Sequence, residues 1–112
     1  MYNEGLSKGE VHSLGKIIEY APDGIVSKTL LKKPTGTIDL IAYDTGTVLA
    51  GKIYPFDTFV LLLEGKAELT MDEKTVMLTS FQGTVIPANT AYKILAVERF
   101  RMLSVTIKSG YE

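Results

Sequence analysis

A chain of 112 residues with a formal net charge of −1 can build one hydrophobic core and is too short for two. Twelve basic against thirteen acidic side chains leave no general electrostatic grip on nucleic acid or an anionic membrane. With no cysteine there is no disulfide, no thiolate nucleophile and no Cys-ligated zinc.

Taken in order, Met1 to Gly9 reads as a polar segment, either frayed or an arm lying on another surface, without the basic-then-apolar pattern of a secretion signal. In Val11 to Tyr20, the apolar residues Val11, Leu14, Ile17 and Ile18 recur at helical spacing behind a Ser13 cap. This predicts a helix of one or two turns, weakened by Gly15. His12, alone of its type, lies in this segment with only Glu10 near it and reads as a packing or surface residue. Ala21-Pro22-Asp23-Gly24 then forms a turn, because proline fixes φ and glycine accepts positive φ. Residues 1–24 are thus an arm with a short helix, and residues 25–108 carry the strands.

Those strands follow as short β-branched and aromatic runs broken by turn residues. Ile25 to Leu31 stops at Lys32-Lys33-Pro34, where the two lysines read as a solvated edge, and Thr37 to Tyr43 alternates up to the turn at Asp44-Thr45-Gly46. Thr47 to Tyr54 and Thr58 to Leu63 are separated by Pro55 and Asp57. Lys66 to Met71 and Lys74 to Leu78 make a hairpin around Asp72-Glu73. Thr84 to Ile86 ends at Pro87, and Ala91 to Val97 and Phe100 to Lys108 turn at Glu98-Arg99. About nine strands at regular spacing predict an all-β sandwich or barrel. The longest apolar run, Phe59 to Leu63, is far short of a membrane span, and the expected location is cytoplasmic.

The stretch Gly46 to Gly65 (GTVLAGKIYPFDTFVLLLEG) resembles the first motif of the cupin family, G-x5-H-x-H-x3-4-E-x6-G. Phe81 to Ala96 (FQGTVIPANTAYKILA) resembles the second, with Pro87 in place, Phe81 and Asn89 at the two glycines and Gly83 as a substitute for the turn at Phe81. The resemblance implies a small single-domain cupin of the conserved-barrel type. Its fold would be a jelly-roll-like double-stranded β-helix, its assembly a homodimer. The family's metal-binding positions hold Lys52, Tyr54, Thr58 and Tyr92. A protonated lysine and two neutral phenols are poor ligands, so neither a tightly held metal nor another cofactor is expected.

Alternation places Lys52 and Tyr54 on one face, which the resemblance makes the lumen, with Tyr92 entering from a neighbouring strand. A buried ammonium there needs an acceptor, for which Asp57 and then Asp39 are the candidates. The expected ligand-binding set is Lys52, Tyr54, Asp57, Thr58 and Tyr92, suited to a small anionic or sugar-like molecule. Two other readings stand beside it: a barrel filled by these side chains, and a metal-free isomerase or lyase using Lys52 and Tyr92 as acid–base groups. Ser27, Ser80 and Ser104 lack the setting of a serine nucleophile.

Overall fold

Strand-forming runs alternating with Gly and Pro turns fold into seven strands in a computed structural model that describes residues 5–110. They are β1 (Ile25–Lys33), β2 (Gly36–Tyr43), β3 (Val48–Lys52), β4 (Thr58–Met71), β5 (Lys74–Leu78), β6 (Gly83–Ile86) and β7 (Tyr92–Ile107). All pairings are antiparallel. The order is β1-β2-β7-β4-β5, with β3 on the other half of β7 and β6 on β4. The fold is an all-β, jelly-roll-like barrel.

The strand number is lower than the sequence predicts because two pairs of runs fuse. β4 continues through Gly65, and β7 continues through Glu98-Arg99, where a turn was expected. The two long strands pair along their whole length, with register shifts clustered between Leu62 and Ala67. Gly65 makes the fusion possible: its φ is +91°, and a Cβ there would collide with the Arg99 carbonyl oxygen and lie 2.6 Å from the Phe100 Cβ. Chain crowding at that bend admits only glycine.

Alternation along the strands divides the apolar residues between two cores. The inner one gathers Tyr43, Val60, Leu62, Leu69, Ile94, Phe100 and Met102, with Tyr43 stacked on Phe100 at 4.4 Å between ring centroids. The outer one joins Leu30, Leu40 and Ala42 to the arm residues Leu6, Leu14, Ile17 and Ile18. Burying Ile18, which is 4% exposed, contributes about 2 kcal/mol at the usual value for a large aliphatic side chain.

The predicted helix at Val11 to Tyr20 does not form. Lys16 N–H donates to the Ser13 carbonyl in a single turn, and Val11 is left fully in solvent. The apolar spacing instead lets the arm lay Leu14, Ile17 and Ile18 on the outer face of the sheet, a tertiary contact that outweighs a weak, glycine-interrupted helix propensity. The arm is fastened at its end. Tyr20 donates its hydroxyl to Glu64 at 2.7 Å, Arg101 donates to the Ile18 carbonyl and to Glu64, and the Arg99 and Arg101 guanidinium groups lie 4.7 and 4.4 Å from the Tyr20 ring centroid. Met1–Glu4, part of the predicted polar arm, lies outside the described residues.

Candidate functional site

Because β1, β2, β7, β4 and β6 pair side by side, their inward residues stand in rows. The outermost row is Lys32, Thr37, Thr106, Thr58 and Ile86. Two residues further in, Thr29, Asp39, Ser104 and Val60 face one another. The next row, Ser27, Ile41, Met102 and Leu62, is largely apolar. These rows, Leu62 excepted, form one wall of a cavity of about 510 Å³, closed on the other side by Leu49, Tyr54, Phe56, Tyr92 and Ile94, with Lys108 beside the outermost row. The lumen therefore grades from hydroxyls and charges to aliphatic and aromatic groups.

The polar end has few internal partners. Thr29 donates to Asp39 Oδ1 at 2.8 Å, and the Thr58 and Thr106 hydroxyls are 3.4 Å apart, a long contact. Thr37 Oγ1 is sealed from solvent with no hydrogen-bond partner among the described residues. At the other end, burial pushes the Tyr43 and Tyr92 phenols well above their ordinary pKa, and the nearby Tyr54 raises both further. The Tyr54 and Tyr92 ring centroids are 6.2 Å apart. Near neutral pH the Tyr43 and Tyr92 phenols keep their protons and can donate.

Of the five ligand-binding residues expected from sequence, the structure brings Tyr54, Thr58 and Tyr92 together on the lumen. Lys52 and Asp57 are not part of the lining. Lys52 is exposed and pairs in register with Tyr92, but β3 ends at Lys52 after a bulge at positive-φ Gly51, so strand alternation does not carry through to Tyr54. Asp57 serves the neighbouring turn: its Oδ1 accepts the Ala88 N–H at 2.8 Å, and its carbonyl accepts the Ile107 N–H. Asp39 does line the lumen, bonded to Thr29 rather than to Lys52.

Sequence reasoning passed over Lys32, Thr37, Ser104, Thr106 and Lys108 as lumen residues. A readable signal existed for three of them, since Ser104, Thr106 and Lys108 share one parity of a single strand run. Lys32 carried no such signal. A bulge between Thr29 and Leu31 reverses the parity, turning Lys32 to the face of Thr29 and leaving Leu31 38% exposed. His12 stays in the arm, where its Nε2 lies 3.0 Å from the Ser7 carbonyl oxygen.

The resemblance raises the question of a metal, and the donor chemistry answers it. At the corresponding positions stand an ammonium outside the lining, two phenols, one held protonated by burial, and a hydroxyl paired with Thr106. Among the described residues, no three His, Cys, Asp or Glu side chains gather where they could hold an ion. These residues do not fit the family's metal.

No protein-family model matches the chain, and no curated protein matches it. Solved structures do. A Streptococcus pyogenes protein of unknown function is 29% identical over 98% of this chain and 96% of its own, with a TM-score of 0.88. A cupin superfamily protein from Desulfitobacterium hafniense is 25% identical over 96% of this chain and 98% of its own, with a TM-score of 0.86. A cupin 2 conserved barrel domain protein from Leptotrichia buccalis is 29% identical over 84% of this chain and 46% of its own, with a TM-score of 0.81. Together with the strand order and the lumen, these likenesses show that the chain has the cupin fold.

Proposed function

We propose that this protein binds a small organic molecule in its barrel lumen without a metal. The observation that carries this reading is the graded cavity of about 510 Å³, a volume suited to a metabolite-sized ligand and lined by underused hydroxyls on one side and by aliphatic and phenolic groups on the other. Tyr54, Thr58 and Tyr92 are the proposed contacts from the expected set, with Lys52 and Asp57 outside the lining. Lys52, the partner that acid–base catalysis with Tyr92 would use, lies outside the lining, which favours binding over that chemistry.

The test is native mass spectrometry of gently purified protein, with a thermal-shift screen of organic acids, sugars and their neutral analogues. A co-purifying or stabilising compound whose affinity drops about tenfold in Tyr92→Phe, the scale of one lost hydrogen bond, supports the reading. If no compound is retained and none stabilises the protein, the lumen is not a binding site.

The same proposal includes a homodimer. The outer-face row Ile38, Val105, Phe59 and Val85 runs across four strands. The arm's cluster takes in Ile38, while Phe59 and Val85 remain 40% and 50% exposed beside Ile107. A second copy is the proposed cover. Sedimentation equilibrium is expected to give a dimer that Phe59→Glu converts to monomer; a monomeric wild type refutes it.

A further inference from the structure

The lining side chains of the lumen carry an uneven charge. Lys32 and Lys108 are both part of it, and Asp39 is the carboxylate among them. Among the described residues neither lysine forms an ion pair with a carboxylate, whereas Asp39 accepts the Thr29 hydroxyl. The positions are ordered as well. Lys32 stands in the outermost row opposite Thr37, and Lys108 donates its backbone N–H to the Thr35 carbonyl at 2.8 Å just before that row begins. Asp39 is two residues further along β2, about 7 Å deeper. Beyond it the wall becomes Ile41, Met102 and Tyr43.

From this order we infer that the lumen selects a monoanionic organic acid, with its carboxylate held outward by Lys32 and Lys108 and its apolar body directed inward past Asp39. The inference rests on the luminal-binding reading and adds the sign, number and position of the ligand's charge. Two ammonium groups at one edge attract a carboxylate and set its orientation. Asp39 opposes a second negative charge at depth, because like charges in a partly desolvated site repel, while its free lone pairs accept a hydroxyl or amine donor on the ligand body. A diacid is disfavoured by the feature that tolerates a hydroxy acid.

Three probes separate the possibilities in calorimetric titration: 3-phenylpropionate, its amide, and its 4-carboxy derivative. The acid is expected to bind at least tenfold more tightly than the amide, with a preference that shrinks as salt rises, and the diacid more weakly than the monoacid. The double variant Lys32→Met/Lys108→Met is expected to lose the acid-over-amide preference while keeping the amide's affinity. Asp39→Asn is expected to recover binding of the diacid. Wild type and variants are compared only after matching near-ultraviolet circular dichroism, so that loss of fold is seen directly. If acid and amide bind equally, or the double variant keeps the preference, luminal binding stands and the charge assignment falls. If the diacid binds as tightly as the monoacid, the role given to Asp39 falls with it. If neither acid nor amide binds at any accessible concentration while other compounds in the thermal-shift screen stabilise the protein, the inference fails and luminal binding stands; if none does, both fail.

Discussion

Replacing Thr37 by valine should stabilise this protein. Thr37 sits in the middle of the sheet, between Lys32 on β1 and Thr106 on β7, and its hydroxyl oxygen is sealed from solvent without a partner among the described residues. A buried hydroxyl in that position forfeits its hydrogen bonds to water on folding, a loss of about 1–3 kcal/mol. Valine keeps the branched shape and an equal or better strand preference, and it exchanges the orphaned oxygen for a methyl group. After allowance for local repacking, a gain of about 1–2 kcal/mol is expected, or roughly 4–8 °C in Tm for a domain of this size. Urea denaturation measures it as a higher midpoint at unchanged m. Thr58→Val is the control, because the Thr58 hydroxyl has Thr106 at 3.4 Å and its removal should be neutral or cost up to about 1 kcal/mol. A Thr37→Val protein less stable than wild type by 1 kcal/mol or more would mean that the hydroxyl is satisfied in solution, refuting this account of the row.

Three further outcomes test the bend, the second-motif turn and the arm. Gly65→Ala should cost more than about 3 kcal/mol or prevent folding, since a Cβ meets the Arg99 backbone. Gly46→Ala, with φ of +84° and open space around it, should cost only about 1–2 kcal/mol in the same urea titration. Phe81→Gly should stabilise by about 0.5–1 kcal/mol: Phe81 is 77% exposed with φ of +63°, and relief of that strain exceeds the added freedom of the unfolded glycine. Tyr20 has its pKa raised to about 12, first by burial and then by its bond to Glu64. A raised pKa means stability that is complete below the ordinary tyrosine pKa of 10.0 and lost as pH climbs toward about 12. Wild type should therefore lose stability over that interval by more than Tyr20→Phe does, and parallel curves would remove Tyr20 from the account.

The architecture was legible because strand alternation and turn residues are local properties. Ile38, Leu40 and Ala42 alternate with Thr37, Asp39 and Ile41 in the sequence as they do in space, one set beneath the arm and the other on the lumen or near it. What escaped was decided by events at single residues. The run at Glu98-Arg99 looks like a turn but is held as strand by β4 pairing across it, a long-range contact that no local propensity encodes. Phe81 was expected to pass its turn to Gly83, yet Phe81 itself adopts positive φ. Gly83 meets a different demand, because a Cβ there would approach the Val60 carbonyl oxygen at 2.5 Å. Asn89 takes φ of +61°, as its short polar side chain allows.

The candidate site was legible only where strand parity survives. Thr58 and Tyr92 belong to uninterrupted stretches of β4 and β7, and both reach the lumen. Lys32 and Lys52 each follow a bulge: Lys52 stands exposed where the parity count put it in the lumen, and Lys32, read as a solvated edge, is exposed but turned onto the lumen face. A bulge adds one residue and reverses every assignment beyond it, and no residue type in β1 announces the one after Thr29. The cation sought at Lys52 is supplied to the lumen by Lys32 and Lys108, residues that read in the sequence as an edge and a strand end. Charge placement in such a barrel therefore follows from where the bulges lie: removing the β1 bulge, with Thr29 kept opposite Asp39, would bring Leu31 opposite Thr37 and turn Lys32 to the outer face without changing composition.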